Sequence, residues 1–224
     1  MKRAWLAAVF AAVPALPCGA EFAGNAMARP GQWVFEVSLD GSRIGYHRFT
    51  LSTADGSPDA RRLAEEAEFK ARFLGIPVYR YHHEVQERWE GSCLASLSAS
   101  TDDDGRATQV QAERNGGFTR ITTRRGQEPQ TQILPGCIMS YAYWNPALRA
   151  QANLLNPQTG RLDPVAITRE GAAQIMAYGR PVAADDWRIR TPDGSIDVWY
   201  SATGDWLGLD AVVSGRRKLS YRLP

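Results

Sequence analysis

The run Val78–Trp89 carries the greatest chemical capacity in this chain. Alternation along a strand places Tyr79, Tyr81, His83, Val85, Glu87 and Trp89 on one side, and Arg80, His82, Glu84, Gln86 and Arg88 on the other. The second side is a charged row suited to water. The first is aromatic and apolar, with one imidazole and one carboxyl set into it. Such a histidine can give or take a proton near neutral pH, and a glutamate can support it. Spacing limits that chemistry. Residues two apart on a strand are separated by nearly ~7 Å, and His83 and Glu87 by about twice that, too far for a hydrogen-bonded acid/base pair. The simpler reading is a core histidine and a glutamate answered by an arginine across the sheet, because buried polar groups generally have partners. His82 and His83 point to opposite faces and cannot chelate one ion.

Other chemistries find less support. No serine stands in a Gly-x-Ser-x-Gly turn, and Ser96, Ser98 and Ser100 alternate along one side of a strand, as on an exposed sheet face. Asp102-Asp103-Asp104-Gly105 lacks the spaced ligands and closing glutamate of a calcium loop and reads as a turn. No Cys/His spacing suits a metal, and no strand–loop–helix unit surrounds the glycines of a phosphate loop. We assign no catalytic residue, no metal and no cofactor, and the reading leans away from an enzyme.

The elements that must position these groups are strands. Trp33, Phe35, Val37 and Leu39 share one face of a half-buried strand, Asp40-Gly41 turns it, and Arg43–Leu51 runs back. Further strands are expected near 62–73, 78–89, 93–100, 108–114, 118–123, 131–134, 164–168, 173–178, 186–191, 196–201, 206–213 and 218–223. Between them, Cys137–Gln151 is aromatic and helical in character, with Asn145-Pro146 as a helix start and the turn Asn156–Gly160 beyond it. The fold class is therefore all-β: an antiparallel β-barrel or strongly curved half-barrel meander with one short helical insert near 138–152. Tyr141, Tyr143 and Trp144 in that insert either line a cavity or cover an open sheet face.

The first twenty residues read as a secretory leader. Lys2 and Arg3 precede an apolar run from Ala4 to Leu16, and Cys18-Gly19-Ala20 offers small residues for cleavage before Glu21. Acylation of Cys18 is the alternative, disfavoured by Pro17 beside the cleaved bond. Cleavage near Ala20 would leave 204 of the 224 residues, with 24 basic and 24 acidic side chains once Lys2 and Arg3 are gone. We expect residues 21–31 to be a loose terminus and 32–224 a single β domain, periplasmic or secreted. The balanced charge leaves no footprint for nucleic acid, and no apolar run in the mature chain is long enough to span a bilayer as a helix. The two remaining cysteines, Cys93 and Cys137, are expected to pair in an oxidising compartment, a bridge worth roughly 3–4 kcal/mol for a loop of this length.

The chain resembles the bacterial family called domain of unknown function 6134. The matching stretches are Leu39–His47, Tyr79–Glu84 with Glu87-Arg88-Trp89, Thr101–Gly105, the Cys137–Gly160 insert, Asp197–Tyr200 and Gly204-Asp205-Trp206. The most specific are Ala142-Tyr143-Trp144-Asn145-Pro146 and Leu154–Gly160. The resemblance implies export and fold but no reaction. At the level of strand pattern, Trp199–Leu207 also looks like part of a periplasmic lipoprotein-carrier half-barrel, a likeness that supplies no function by itself.

Three functional readings follow. The first is a periplasmic binding or carrier protein for an apolar or lipid-like molecule, lined by Tyr79, Tyr81, His83, Tyr143 and Trp144, with Trp199 and Trp206 as further candidates. The second is an enzyme acting on such a molecule, with His83 as acid or base. The third is an envelope protein that binds a partner at an exposed sheet edge. Oligomeric state is left open.

Overall fold

The computed structural model describes residues 30–54, 59–73, 76–213 and 217–224, without the side chains of 72, 73, 76 and 77. The expected leader and all of 21–31 but its last two residues lie outside the described residues. Eight strands come first: β1 (Gly31–Leu39), β2 (Ser42–Thr53), β3 (Ala60–Phe73), β4 (Ile76–Glu90), β5 (Cys93–Asp103), β6 (Arg106–Asn115), β7 (Phe118–Arg124) and β8 (Pro129–Pro135). A single turn of 3₁₀ helix, Pro146–Ala150, and the short pair β9 (Asn153–Leu155) and β10 (Leu162–Pro164) form the insert. Five strands finish the chain: β11 (Ala166–Ala177), β12 (Arg180–Thr191), β13 (Gly194–Tyr200), β14 (Trp206–Val213) and β15 (Arg217–Arg222).

All the long strands join one antiparallel sheet of 13 strands in the order β11-β12-β13-β14-β15-β1-β2-β3-β4-β5-β6-β7-β8. The two meanders meet where the chain's first and last strands pair, from Glu36↔Arg222 to Leu39↔Leu219. The sheet is not closed, with β8 and β11 as its edges, so of the two expected forms the molecule adopts the half-barrel. Register shifts at Val37/Ser38, Ala71/Arg72, Arg88/Trp89, Arg169/Gly171 and Trp199/Tyr200 bend it; bulges sharpen local twist in this way. One of them lies inside β11, where the sequence suggested two strands: Glu170 is the extra residue, Gly171 beside it takes a φ of 134°, and the strand continues. At that end the sheet curls until Ile175 of β11 packs over Gly208 of β14 in a satellite cluster with Ala184 and Leu207.

The expected helical character of 137–151 is realised only in Pro146–Ala150, where Asn145 caps the turn by accepting from the backbone N–H of Ala147 at 3.0 Å. The rest of the insert is a plug. Met139, Leu148, Leu154 and Leu155 are almost wholly buried in the main core with Phe35, Val85, Trp89 and Ile121. The plug is fixed to the sheet by a disulfide between Cys93 and Cys137, whose Cα atoms are 5.3 Å apart, and by the bond from the Leu94 N–H to the Ile138 carbonyl.

Candidate functional site

Register decides which side chains meet inside the half-barrel. Along β4, Tyr81, His83, Val85, Glu87 and Trp89 are buried and the residues between them exposed, the alternation read from the sequence. Ala67 of β3 stands opposite both His47 of β2 and His83 of β4. Its methyl group leaves room over it, and the two imidazoles approach edge-on with centroids 6.5 Å apart. In the next row Glu65 lies between Phe49 and Val85, and in the next Glu87 lies opposite Leu63. Two histidines and two glutamates thus converge on one face from three adjacent strands.

Their hydrogen bonding is uneven. His83 Nδ1 is 2.8 Å from the Thr101 hydroxyl. Glu87 accepts a bond from the Trp89 indole N–H at 2.8 Å and another from Ser140 of the insert. The partners of Glu87 are thus an indole and a hydroxyl, because the plug, which sequence alternation does not place, brings Ser140 to it. His47 Nδ1 is 3.3 Å from the Tyr221 hydroxyl, while its Nε2 makes no hydrogen bond although Glu65 Oε2 is 3.5 Å away.

Burial sets the charge state. Loss of water pushes the Glu65 carboxyl up to about 8. The Glu87 carboxyl is also pushed up to about 8 by burial and then by Glu65, against the bonds from Ser140 and Trp89. Burial holds His47 down at about 3, and burial with His47 beside it holds His83 at about 3. At neutral pH both carboxyls keep their protons and both rings are uncharged.

These four groups line a cavity of about 250 Å3, walled by Phe49, Tyr141, Tyr143 and Tyr221 and capped by Asn156–Gln158 of the insert. It shares His47, Gln158, Val213, Leu219 and Tyr221 with a wider cleft of about 1140 Å3 lined by Phe69, Tyr79, Tyr81 and Thr101, with Arg106, Arg125 and Arg217 on its walls. The sequence candidates divide accordingly. His83 and Tyr143 line the inner cavity, and Tyr79 and Tyr81 the outer cleft. Tyr81 stacks on Phe69 at 5.0 Å, and Tyr79 donates to Asp103 at 2.8 Å. Trp144 lines neither: it is buried against Trp89, ring edge to face at 5.4 Å, as a core residue of the plug. Trp206 is sealed in the core, and Trp199 lies under the Arg222 guanidinium at 5.2 Å. His47 and Glu65 escaped the sequence reading. The signal was present, since alternation of Leu63, Ala67 and Phe69 turns Glu65 inward and alternation of Phe49 and Leu51 does the same for His47.

Among the described residues no group of three or more His, Cys, Asp or Glu side chains is arranged to hold a metal ion, and no helix is long and apolar enough to cross a membrane. A family model described as Domain of unknown function (DUF6134) matches residues 35–223. No curated protein matches the chain. Among solved structures, the crystal structure of a beta-barrel-like protein of domain of unknown function DUF1849 from Brucella abortus aligns with a TM-score of 0.64 at 12% identity, covering 87% of this chain and 95% of that chain. At that identity the likeness concerns the fold alone.

Proposed function

Since the chain belongs to the domain of unknown function 6134 family, whose description assigns no reaction, we propose a function from the cleft itself: an exported binding or carrier protein that holds an apolar or lipid-like molecule inside the half-barrel. The observation that carries this reading is a cavity of about 250 Å3 beside a cleft of about 1140 Å3, with five lining residues in common and aromatic walls. Protein interiors are otherwise packed to crystal-like density, and concave apolar sites with a few convergent polar groups are the usual form of ligand pockets. Export rests on the leader read at residues 1–20.

The test is native mass spectrometry of protein purified from its own cell envelope, followed by solvent extraction and identification of what co-purifies. A stoichiometric apolar molecule, lost from a Tyr81→Ala or Tyr143→Ala variant that still folds, supports the reading. Protein that is empty and also takes up no lipid offered to it removes the reading and favours partner binding at a sheet edge.

One observation favours a second reading, an enzyme acting on the same molecule: an imidazole within 3.5 Å of a carboxyl, both facing the cavity. Incubation of the extracted molecule with fresh protein tests it. A product of changed mass, absent with His47→Gln, supports turnover, and an unchanged molecule removes this reading.

A further inference from the structure

We propose that the inner end of the cleft is a site for a protonated amine, whose apolar body runs outwards along the aromatic walls. This deepens the binding reading above and rests on it.

Three features of the cavity point to that chemistry. Its acidic groups are Glu65, Glu87, Asp163 and Asp193, and among the described residues no Lys or Arg lines it. Asp163 and Asp193 are both held by Arg161 from outside the cavity, whereas Glu87 is met by the Trp89 indole and Ser140 and Glu65 by the His47 ring, all uncharged. Second, His47 is about nine-tenths buried, yet its Nε2 is without a hydrogen bond. With the ring proton on Nδ1 directed at Tyr221, Nε2 presents a lone pair beside Glu65. The nearest donor is the protonated Glu65 carboxyl, which at 3.5 Å makes no hydrogen bond to it, so the acceptor is open to a donor that comes closer. Third, Phe49, Tyr143 and Tyr221 present ring surface to the same space. An ammonium group supplies donors to Nε2 and the carboxyls and is attracted by aromatic faces.

Binding must move a proton. The carboxyls are held in the acid form by burial, so when R–NH₃⁺ enters, one carboxyl O–H bond breaks and its proton leaves to water. The cavity then holds one ammonium and one carboxylate and stays neutral overall. The groups facing these carboxyls are His47 of β2, His83 of β4, Tyr81 of β4, Tyr143 of the insert and Tyr221 of β15. The imidazoles are uncharged above about pH 3, and burial raises the phenols, so between pH 6 and 8 the two carboxyls are the groups that change. Affinity for an amine therefore rises with pH across that window.

The experiment compares n-octylamine, n-octanol and sodium octanoate, which share a chain and differ in the head, by titration calorimetry on the purified full chain at pH 6, 7 and 8. Phosphate and MOPS buffers, which differ in ionisation enthalpy and carry no primary amine, report the protons released at pH 7. The amine is expected to bind about tenfold tighter than the alcohol at pH 8, to gain about tenfold or more in affinity from pH 6 to 8, and to release about one proton at pH 7. The Glu65→Gln/Glu87→Gln double variant replaces two protonated acids by amides of similar shape. It is expected to lose both the preference for the amine over octanol and the proton release. Octanol bound as tightly as octylamine, or amine affinity independent of pH in the parent chain, overturns the amine site and leaves the binding reading standing. Failure of all three probes overturns both.

Discussion

His47 Nε2 and Glu65 Oε2 stand 3.5 Å apart across neighbouring strands, and burial holds both in their uncharged forms. A pair that would form an ion pair in water has been neutralised by removing the water, as expected where the charged form of a lone group is too costly to bury. With Glu87 and His83 showing the same displacement, stability acquires a definite pH profile. Each carboxyl, raised from 4.5 to about 8, contributes stability that is full below pH 4.5 and is lost as pH rises through 8. Each imidazole, lowered from 6.5 to about 3, contributes stability that is full above pH 6.5 and is lost as pH falls through 3. The two trends cancel between 4.5 and 6.5. Thermal melts at constant ionic strength should show a plateau there and a loss of about 2–3 kcal/mol between pH 6.5 and 8. Glu65→Gln should remove about half of that loss. Stability that rises from pH 6.5 to 8 contradicts this account.

The Cys93–Cys137 bridge closes a loop across a sequence separation of 44 residues and anchors the plug to β5. Its removal in a Cys93→Ser/Cys137→Ser variant should cost about 2–4 kcal/mol. The chain's melting temperature should fall on adding reductant, and that of the variant should not. Equal melting with and without reductant in the parent chain would show that the bridge contributes nothing.

Tyr143 and Trp144 are neighbours in sequence with opposite duties. Trp144→Ala should destabilise by about 3–5 kcal/mol, since it empties a buried site against Trp89. The Tyr143 hydroxyphenyl group lines the cavity, and Tyr143→Ala should change ligand uptake more than Trp144→Ala does at a temperature where both are folded. Denaturant titration beside a binding assay separates the two effects, and a larger uptake defect in Trp144→Ala would reverse the assignment.

A Cβ at Gly45 would lie 1.8 Å from the Glu68 carbonyl oxygen, backbone that cannot step aside. Gly45→Ala should cost more than about 2 kcal/mol, while Gly117→Ala, where a Cβ meets nothing within 4 Å, should fall within about 0.5 kcal/mol of the parent. Similar midpoints for the two variants in urea would refute the close approach.

The sequence made the inward face of β4 legible because period-two alternation there is unbroken for ten residues, from Tyr81 to Glu90. Alternation turns His47 and Glu65 inward on their own strands, but that they stand beside His83 depends on the register of β2, β3 and β4, which has no local signature. The single β11 was hidden for the same reason: Gly171 looked like a break and sits beside a bulge. The partner of Glu87 was misread because Ser140 arrives on the plug from 53 positions further along the chain. The insert's aromatic content was plain, but not which of its rings would face the cavity and which the core.

The pairing of β1 with β15 gives the molecule a clock. A chain synthesised from its N-terminus can assemble β1–β8 early as a meander of near neighbours, yet β1 then presents a bare edge through all the residues that follow. Tyr221, which closes over His47, stands on β15, 174 positions after it. Loop closure over such a span is slow compared with hairpin formation. The cleft therefore comes into being only once β15 has paired with β1. Loss of β15 would strip β1 and β14 of their shared partner.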